Sequence, residues 1–561
     1  MKGMDFKQTF FIWLLLLFLL LYNLGNFGLI ETTDARYAEI SKEMFIQRDY
    51  LIPHLNGIKH FHKPPLIYWI TAGSFRIFGI NEFAARFPLA IEGLLLCIIT
   101  YWIGRERWGQ MSGWLSAICL FSSEMFLAST KGLNLDLLLT IFITPGLWLV
   151  WKWFTTGKTM YLYLAVISIG ISTLIKGPVG AVLIAVITLA FLITTRISLP
   201  KVKLLTLLNL IVIFSIIAFP WYIIICSSNQ ALFSYFIKEQ LLSRLTGGGL
   251  GHKFPIYYLI LMFLAGFSPW VIYLPEQIKN FLKSFCFNIK RFQTENLQKN
   301  NENHSFYLFL LIWAFVPIVV FSLPATKLPY YILPAMPAFS LLASKGWMEW
   351  LKGNTFTRYI KIATFLLALL IFTLGLILLL QGKTLIKEVR WDDIKFMIEG
   401  IGVFLIFLSA LLIVGLLKKK LFIIWLSLSL LFPILFFIIQ TNPGPLLINS
   451  YKNFALEIKN QLKPETKIVC YHCFLASLPF YLNREITIVD FPQALDTRFE
   501  TGNKYKQYII SSSEFFKLWD KFSNNIFCIL PTTELNQFKH FKILKTQGHY
   551  TLIKKEKNRR F

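Results

Sequence analysis

The sequence predicts a polytopic α-helical membrane protein with a small α/β domain at its C-terminal end on the outer side, and three observations predict it. Of 561 residues, 55% are hydrophobic and the mean hydropathy is positive, too apolar a composition for a soluble protein of several domains. The apolar residues gather into about 13 runs close to the roughly 20 residues that cross a bilayer. Beyond residue 440 those runs stop, and short β-rich and amphipathic segments replace them.

The spans fall near residues 9–29, 83–104, 111–128, 135–152, 160–175, 178–195, 203–226, 256–275, 306–324, 329–346, 359–380, 397–416 and 420–440. The first has no small-x-small cleavage site and runs straight into ETTDARYAE, so it reads as an anchor rather than a signal peptide. Two amphipathic pieces between residues 30 and 81, DARYAEISKEMFIQR and PLIYWITAGSFRIFG, carry aromatics suited to the interface plane. Residues 1–440 thus form a membrane domain with outer juxtamembrane helices, and 441–561 a second domain.

Lysine and arginine set the orientation. With the N-terminus inside, every inner loop is basic: Lys2 and Lys7, Arg105 and Arg107, Lys152 and Lys158, Arg196 with Lys201 and Lys203, the stretch from Lys279 to Lys299, and Lys418 to Lys420. The odd count puts the tail outside, in the periplasm of a diderm cell whose inner membrane holds the spans. A net charge of +26 is accounted for by this bias and by anionic lipids. No basic block is interleaved with aromatics in soluble sequence, so nucleic acid is not an expected partner.

In the tail, TKIVCY, ITIVD, YKQYII, NIFCIL and YTLIK have strand character, and FLASLPFYL, SEFFKLW and TELNQF are helix candidates. Cys470 and Cys473 form a CxxC. A structural zinc needs a second ligand pair, and only His472 is close in sequence. A redox pair and two ordinary strand-end cysteines are the readings left open.

Outer loops should be poor in cations, yet three lysines stand there before a proline: Lys63 before Pro64 and Pro65, Lys176 before Gly177 and Pro178, Lys327 before Leu328 and Pro329. Proline suits the first helical turn. Each lysine is therefore placed beside a helix N-terminus, where unpaired N–H groups favour an anion such as phosphate. The alternative is that the lysines snorkel to headgroups. Two acids accompany them. Asp34 follows Thr32 and Thr33, either of which can cap a helix, and has a capping role as its alternative. Asp136 lies at the outer end of the fourth span, where an unpaired carboxylate is costly; its alternative is a salt bridge to Lys131.

The loop near 227–255 sets Glu239, Arg244, His252 and Lys253 around TGGGLG, the pattern of a segment that closes over a ligand. No strand precedes the glycines, so they are no dinucleotide fingerprint. Acids and anion-binding helix ends on the outer face suggest chemistry on a lipid-borne phosphate, with a polyprenyl-phosphate sugar as donor and the phosphate as leaving group.

The ordered motifs ETTDARYAEISKEM, RDYLIPHLNGIKHFHKPPLIYW, GINEFAARFP, LIKGPVG and KLPYYILP resemble the membrane glycosyltransferases of the GT-C fold. Among them the resemblance is to the bacterial lipid A aminoarabinose transferases of the protein-mannosyltransferase superfamily. It implies a 13-span plan with a periplasmic C-terminal domain, transfer to lipid A or lipopolysaccharide core, and a donor-phosphate role for Lys63. It also places Tyr331 on the KLPxY tyrosine and Asp136 on the span-four acid. The first-loop motif falls on Thr33, Asp34, Arg36 and Tyr37, with Thr33 where the family has an acid. His60 and His62 stand where it has tyrosine and glutamate, and Gln240 where a histidine follows glutamate.

The expected site is thus Asp34 and Asp136 as catalytic acids. Lys63, Lys176, Arg244, Lys327 and Tyr331 face the donor phosphate, and Thr33, Arg36, Tyr37, His60, His62, Glu239, His252 and Lys253 take other parts of the substrates. No cofactor or metal is expected, and the chain is expected to act as a monomer among membrane lipids. A protein O-glycosyltransferase is the nearest alternative. A lipid-linked sugar flippase is further off, since transporters place polar groups near the midplane in two related halves.

Overall fold

The computed structural model describes residues 5–197, 199–242, 253–279, 282, 302–353, 355–385, 391–441, 449–491, 495–500, 508–521 and 526–556. Each predicted span has helix in its place. Among the described residues, seven helices are individually long and apolar enough to cross a membrane: Glu82–Trp108, Leu135–Thr156, Thr159–Lys176, His304–Ser322, Arg358–Leu385, Trp391–Leu417 and Leu421–Thr441. Two helix pairs reach the same length and apolarity when each is taken together, one bent by 55° where Phe219 meets Pro220 and the other by 98° before Trp270. Pro220 and Pro269 sit at those breaks, where a missing N–H interrupts the helical ladder. The other four places hold shorter helices, Phe6–Leu21, Gln110–Phe121 and Val179–Thr195, and the more charged Met336–Gly353. The protein is a multi-pass membrane protein with the polytopic helical architecture that the sequence predicts.

Small residues let these helices approach closely. Ser116 of Gln110–Phe121 donates to Ser344 of Met336–Gly353 at 2.9 Å. Elsewhere Trp151, Phe191, Phe306 and Phe309 fill the bundle with mutually tilted and edge-on rings.

Above the bundle lie α1 to α3 in part: α1 (Phe6–Leu21) is the first span, α2 (Thr33–Gln47) and α3 (Leu66–Phe78) are juxtamembrane helices. Between α2 and α3 a hairpin joins β1 (His54–Leu55) to β2 (Ile58–Lys59). Its turn is Asn56-Gly57, with φ of 56° and 73°, the left-handed pair that a tight hairpin turn requires. α2 does not lie on a lipid surface as its amphipathic pattern suggests. Its polar residues Glu39, Lys42 and Glu43 are as buried as its apolar ones, because the C-terminal domain covers that face.

The C-terminal domain is a six-stranded mixed sheet ordered β5-β4-β3-β6-β8-β7. Its strands are β3 (Lys467–Tyr471), β4 (Thr487–Val489), β5 (Ile509–Ile510), β6 (Ile526–Pro531), β7 (Phe541–Gln547) and β8 (Tyr550–Lys555). β3 to β6 pair in parallel, and β8 and β7 add antiparallel. The five predicted strands are present, and β7 joins them. Of the predicted helices, Ser477–Leu482 and Ser512–Lys521 form, the latter with the capping box its sequence offers, Glu514 accepting from the Ser511 N–H and the Glu514 N–H bonding Ser511 Oγ. TELNQF instead winds as a 3-10 turn, Thr532–Gln537.

Docking of this domain on α2 is polar and buried. Lys42 pairs with Glu39 at 2.8 Å and donates to the Pro479 and Phe480 carbonyls. Asn56 exchanges two hydrogen bonds with the backbone of Ile486, at 2.9 and 2.8 Å. Glu31 accepts from the amides of Ser477 and Ala476 at 2.7 and 3.2 Å, and burial raises its carboxyl to about 7. Glu43 accepts both turn amides, of Asn56 and Gly57; burial and the neighbouring Glu39 push its carboxyl well up.

Candidate active site

Asn134 starts the fourth crossing, Leu135–Thr156, by accepting the Leu137 N–H at 3.0 Å. That cap sets Asp136 in the first turn, 5% exposed. The next crossing, Thr159–Lys176, returns antiparallel, so its last residue meets the first turn of its predecessor. Lys176 Nζ lies 2.5 Å from Asp136 Oδ1, both side chains nearly dry. Gly177, at φ 68°, turns the chain toward Pro178 and the following helix, a conformation open to glycine without strain. Lys131, the alternative partner for Asp136, is engaged elsewhere: it donates to the Leu20 carbonyl at 3.0 Å.

Tyr331 completes this group, its ring 4.2 Å from the Lys176 ammonium, a cation-π contact in a desolvated place. Tyr37 of α2 lies in the field of Lys176, Asp136 and Tyr331, and burial holds its phenol protonated. Arg36 lies over the Tyr37 ring at 5.9 Å, and Tyr68 of α3 meets Tyr37 edge-on at 5.8 Å. His60 and His62 have ring centroids 4.2 Å apart, and His62 stacks toward Tyr235. Burial, then His62, Arg36 and Lys63, lower the His60 imidazole well below its ordinary value, so it is neutral at pH 7. Three buried polar atoms in this neighbourhood, Arg36 Nε, His60 Nδ1 and the Tyr68 hydroxyl, have no hydrogen-bond partner among the described residues. Folding leaves such groups unpaired at a cost of about 1–3 kcal/mol each, which a bound polar ligand recovers.

All three lysine-proline sequences stand where a helix begins. Lys63, half-buried, precedes Pro64-Pro65 and α3. Lys327 precedes the 3-10 turn Pro329–Ala335. Its ammonium, however, donates to the Phe254 carbonyl at 2.9 Å, where a short bridge pairs Lys253 with Thr326. Lys327 is thus placed to hold the returning loop, with Lys253 exposed on that bridge.

Asp34 has a different setting from the one its motif suggests. Thr32 makes no side-chain cap, and Thr33 is simply the first helical residue. Asp34 Oδ2 accepts from Arg86 at 2.5 Å and from the Ile30 N–H, while Oδ1 accepts from the Leu133 N–H at 2.8 Å. Arg86, fully buried, also donates to the carbonyls of Leu24, Phe27 and Gly28. Asp34 therefore ties α2 to the loop that enters the Asp136 helix, with three donors already on its carboxylate. Arg86 is visible in the sequence only inside GINEFAARFP, and its partners are 52 to 62 residues away.

Glu239, expected at the substrate, makes a two-point ion pair with Arg498 of the C-terminal domain at 2.6 and 2.9 Å. Gln240 donates to Tyr235 at 2.7 Å. Phe61, Trp221, Tyr235 and Phe499 pack together beneath, so three outer segments and the tail meet beside His62. Arg244, His252 and the TGGGLG segment lie outside the described residues. Among the described residues no group of three or more His, Cys, Asp or Glu is placed to hold a metal.

A helical hairpin with a buried acid-lysine pair at its end, roofed by juxtamembrane helices and an α/β tail, belongs to a polytopic membrane protein of the GT-C fold. Residues 62–223 match the family model described as dolichyl-phosphate-mannose-protein mannosyltransferase, and residues 454–548 the aminoarabinose transferase C-terminal domain. The chain thus resembles one family in its membrane part and the other in its tail. It is 29% identical over 361 residues to an undecaprenyl phosphate-alpha-4-amino-4-deoxy-L-arabinose arabinosyl transferase of Yersinia enterocolitica, covering 62% of this chain and 61% of that one. It is 26% identical over 525 residues to an uncharacterised protein of Aquifex aeolicus, covering 91% and 96%. The matched part therefore spans under two thirds of the named transferase. The fold is that of ArnT from Cupriavidus metallidurans bound to undecaprenyl phosphate, with a TM-score of 0.77, 19% identity and 98% of each chain covered.

Proposed function

We propose that this protein transfers a sugar from a polyprenyl-phosphate carrier to lipid A or lipopolysaccharide core at the outer face of the inner membrane, with the C-terminal domain in the periplasm. The observation that carries the proposal is the dry Asp136–Lys176 pair under Tyr331. A lysine in that position neutralises the phosphate as it leaves, and the aspartate holds the lysine charged and aimed until substrate arrives. Lys63, beside the start of α3, takes the donor phosphate, and Arg36, His60 and Tyr68 offer their unpaired atoms to the donor or the sugar.

The carbanion-free chemistry is a displacement at the anomeric carbon: the acceptor oxygen bonds to that carbon as its bond to the phosphate oxygen breaks. A phosphate or carboxylate acceptor is already ionised at neutral pH and needs no base, which agrees with Asp34 being spent on Arg86 and with neutral His60. The sugar is a pentose of the 4-amino-arabinose type, as named for the Yersinia relative. The match of residues 62–223 to the mannosyltransferase family favours a second reading, transfer of a hexose to a protein hydroxyl, for which Asp136 would serve as base. Mass spectrometry of lipid A, core oligosaccharide and periplasmic glycoproteins from cells with and without the protein decides between them. The first reading expects a pentose-sized loss in a lipid fraction; a loss confined to glycoproteins overturns it.

A further inference from the structure

In a continuing strand, Cys470 and Cys473 would face opposite sides of the sheet, since they stand an odd three positions apart. The chain leaves the strand instead. His472 adopts a left-handed φ of 51°, its N–H bonds the Val489 carbonyl at 3.0 Å, and the turn brings Cys473 into the same core layer as Cys470, against Phe454 and Leu478. Cys470 is 0% and Cys473 1% exposed. Cys528, one strand away, packs in the layer on the other face. Neither Cys470 nor Cys473 is in a disulfide here; the Cys473 thiol donates to the Ile529 carbonyl at 3.6 Å and feels the Cys470 thiol as a neighbour. Among the described residues, no metal-binding group of three includes these two thiols.

We propose that Cys470 and Cys473 are joined by a disulfide in the mature protein, a proposal that rests on the C-terminal domain lying in the oxidising compartment outside the membrane. The oxidant is a protein disulfide of the thiol-exchange class. One thiolate attacks a sulfur of that disulfide, and the second thiolate displaces the mixed intermediate. Two S–H bonds become one S–S bond; the two electrons and two protons leave on the oxidant, which departs as a dithiol. The exchange takes place before the core closes, because burial in the folded domain pushes the Cys473 thiol well up and withholds the reactive thiolate. The bridge fixes the turn that leads into Ala476 to Phe480, whose amides hold Glu31 and whose carbonyls hold Lys42.

The test uses full-length protein from membranes, acid-quenched, denatured and blocked with N-ethylmaleimide, then reduced and labelled with a heavier maleimide before peptide mass spectrometry. Cys470 and Cys473 should carry the heavy label and Cys528 the light one, and Cys470→Ser should move Cys473 to the light label. Light label on both in the wild-type chain overturns the disulfide, and heavy label on Cys528 with only one of them overturns the pairing. In parallel, a Lys459→Cys variant, at an exposed helix end, is probed on intact spheroplasts with a membrane-impermeant maleimide. Reaction there together with light label on both cysteines locates the failure in the disulfide itself. Protection there with light label locates it in the topology.

Discussion

Separating Asp136 from Lys176 should reveal whether the pair is machinery or a strut. The two side chains are 7% and 8% exposed and 2.5 Å apart. Removing one partner of so dry a pair leaves an uncompensated charge, at a cost of about 3–5 kcal/mol, whereas removing both is often close to neutral. Asp136→Asn and Lys176→Met should therefore each lower the unfolding temperature in nanodiscs, and the double variant should recover most of that loss. Activity should behave differently. Loss of Lys176 removes stabilisation of the departing phosphate, about 10²–10³ in kcat, and loss of Asp136 removes the group that keeps the lysine charged and aimed. The double variant should then be stable and still below about a hundredth of wild-type turnover with a polyprenyl-phosphate sugar and lipid A. Recovery of turnover in the double variant to more than about a tenth of wild type would refute the reasoning, because activity would then follow stability alone.

Lys63→Ala should abolish transfer with the unfolding temperature nearly unchanged, since a half-buried lysine before Pro64 carries little of the fold; turnover within about threefold of wild type would return it to a headgroup contact. The Glu31 clamp should be pH-dependent. Its carboxyl is raised from 4.5 to about 7 in the folded protein, so its contribution is full below about pH 4.5 and is lost as the pH rises through about 7. That displacement corresponds to at most about 3 kcal/mol. Glu31→Gln should flatten the profile of hydrogen exchange at Ala476 and Ser477 between pH 5 and pH 8, and an unchanged slope would remove Glu31 from the cause.

Spans and outer helices are legible because apolar length and proline position act locally, and Lys63, Lys176 and Lys327 all precede helix starts as their sequence says. Partners are harder to read. Lys131 is the near neighbour of Asp136 in sequence, yet a helical hairpin brings Lys176 across 40 residues. Asp34 looks like a cap because Thr-Thr-Asp is a capping pattern, and only the fold supplies Arg86. α2 shows a polar face, but the pattern records polarity and not what covers it. The Asn56-Gly57 hairpin carries a strong local signal inside a stretch dominated by its histidines and lysine. β7, at the sheet edge, exposes Lys542, Ile543, Lys545 and Thr546 in an irregular pattern, which hides its strand character.

The sandwiching of α2 also sets a timetable. Glu31 finds its amides 445 and 446 residues later in the chain, and Lys42 its carbonyls 437 and 438 later. At synthesis rates of about 5–20 residues per second, the first outer segment waits on the order of 20–90 s for the surface that satisfies it. During that interval Glu31, Glu39, Lys42 and Glu43 stand hydrated at the membrane face. The roof over Lys63 and Tyr37 is then assembled last, after the spans are already in place.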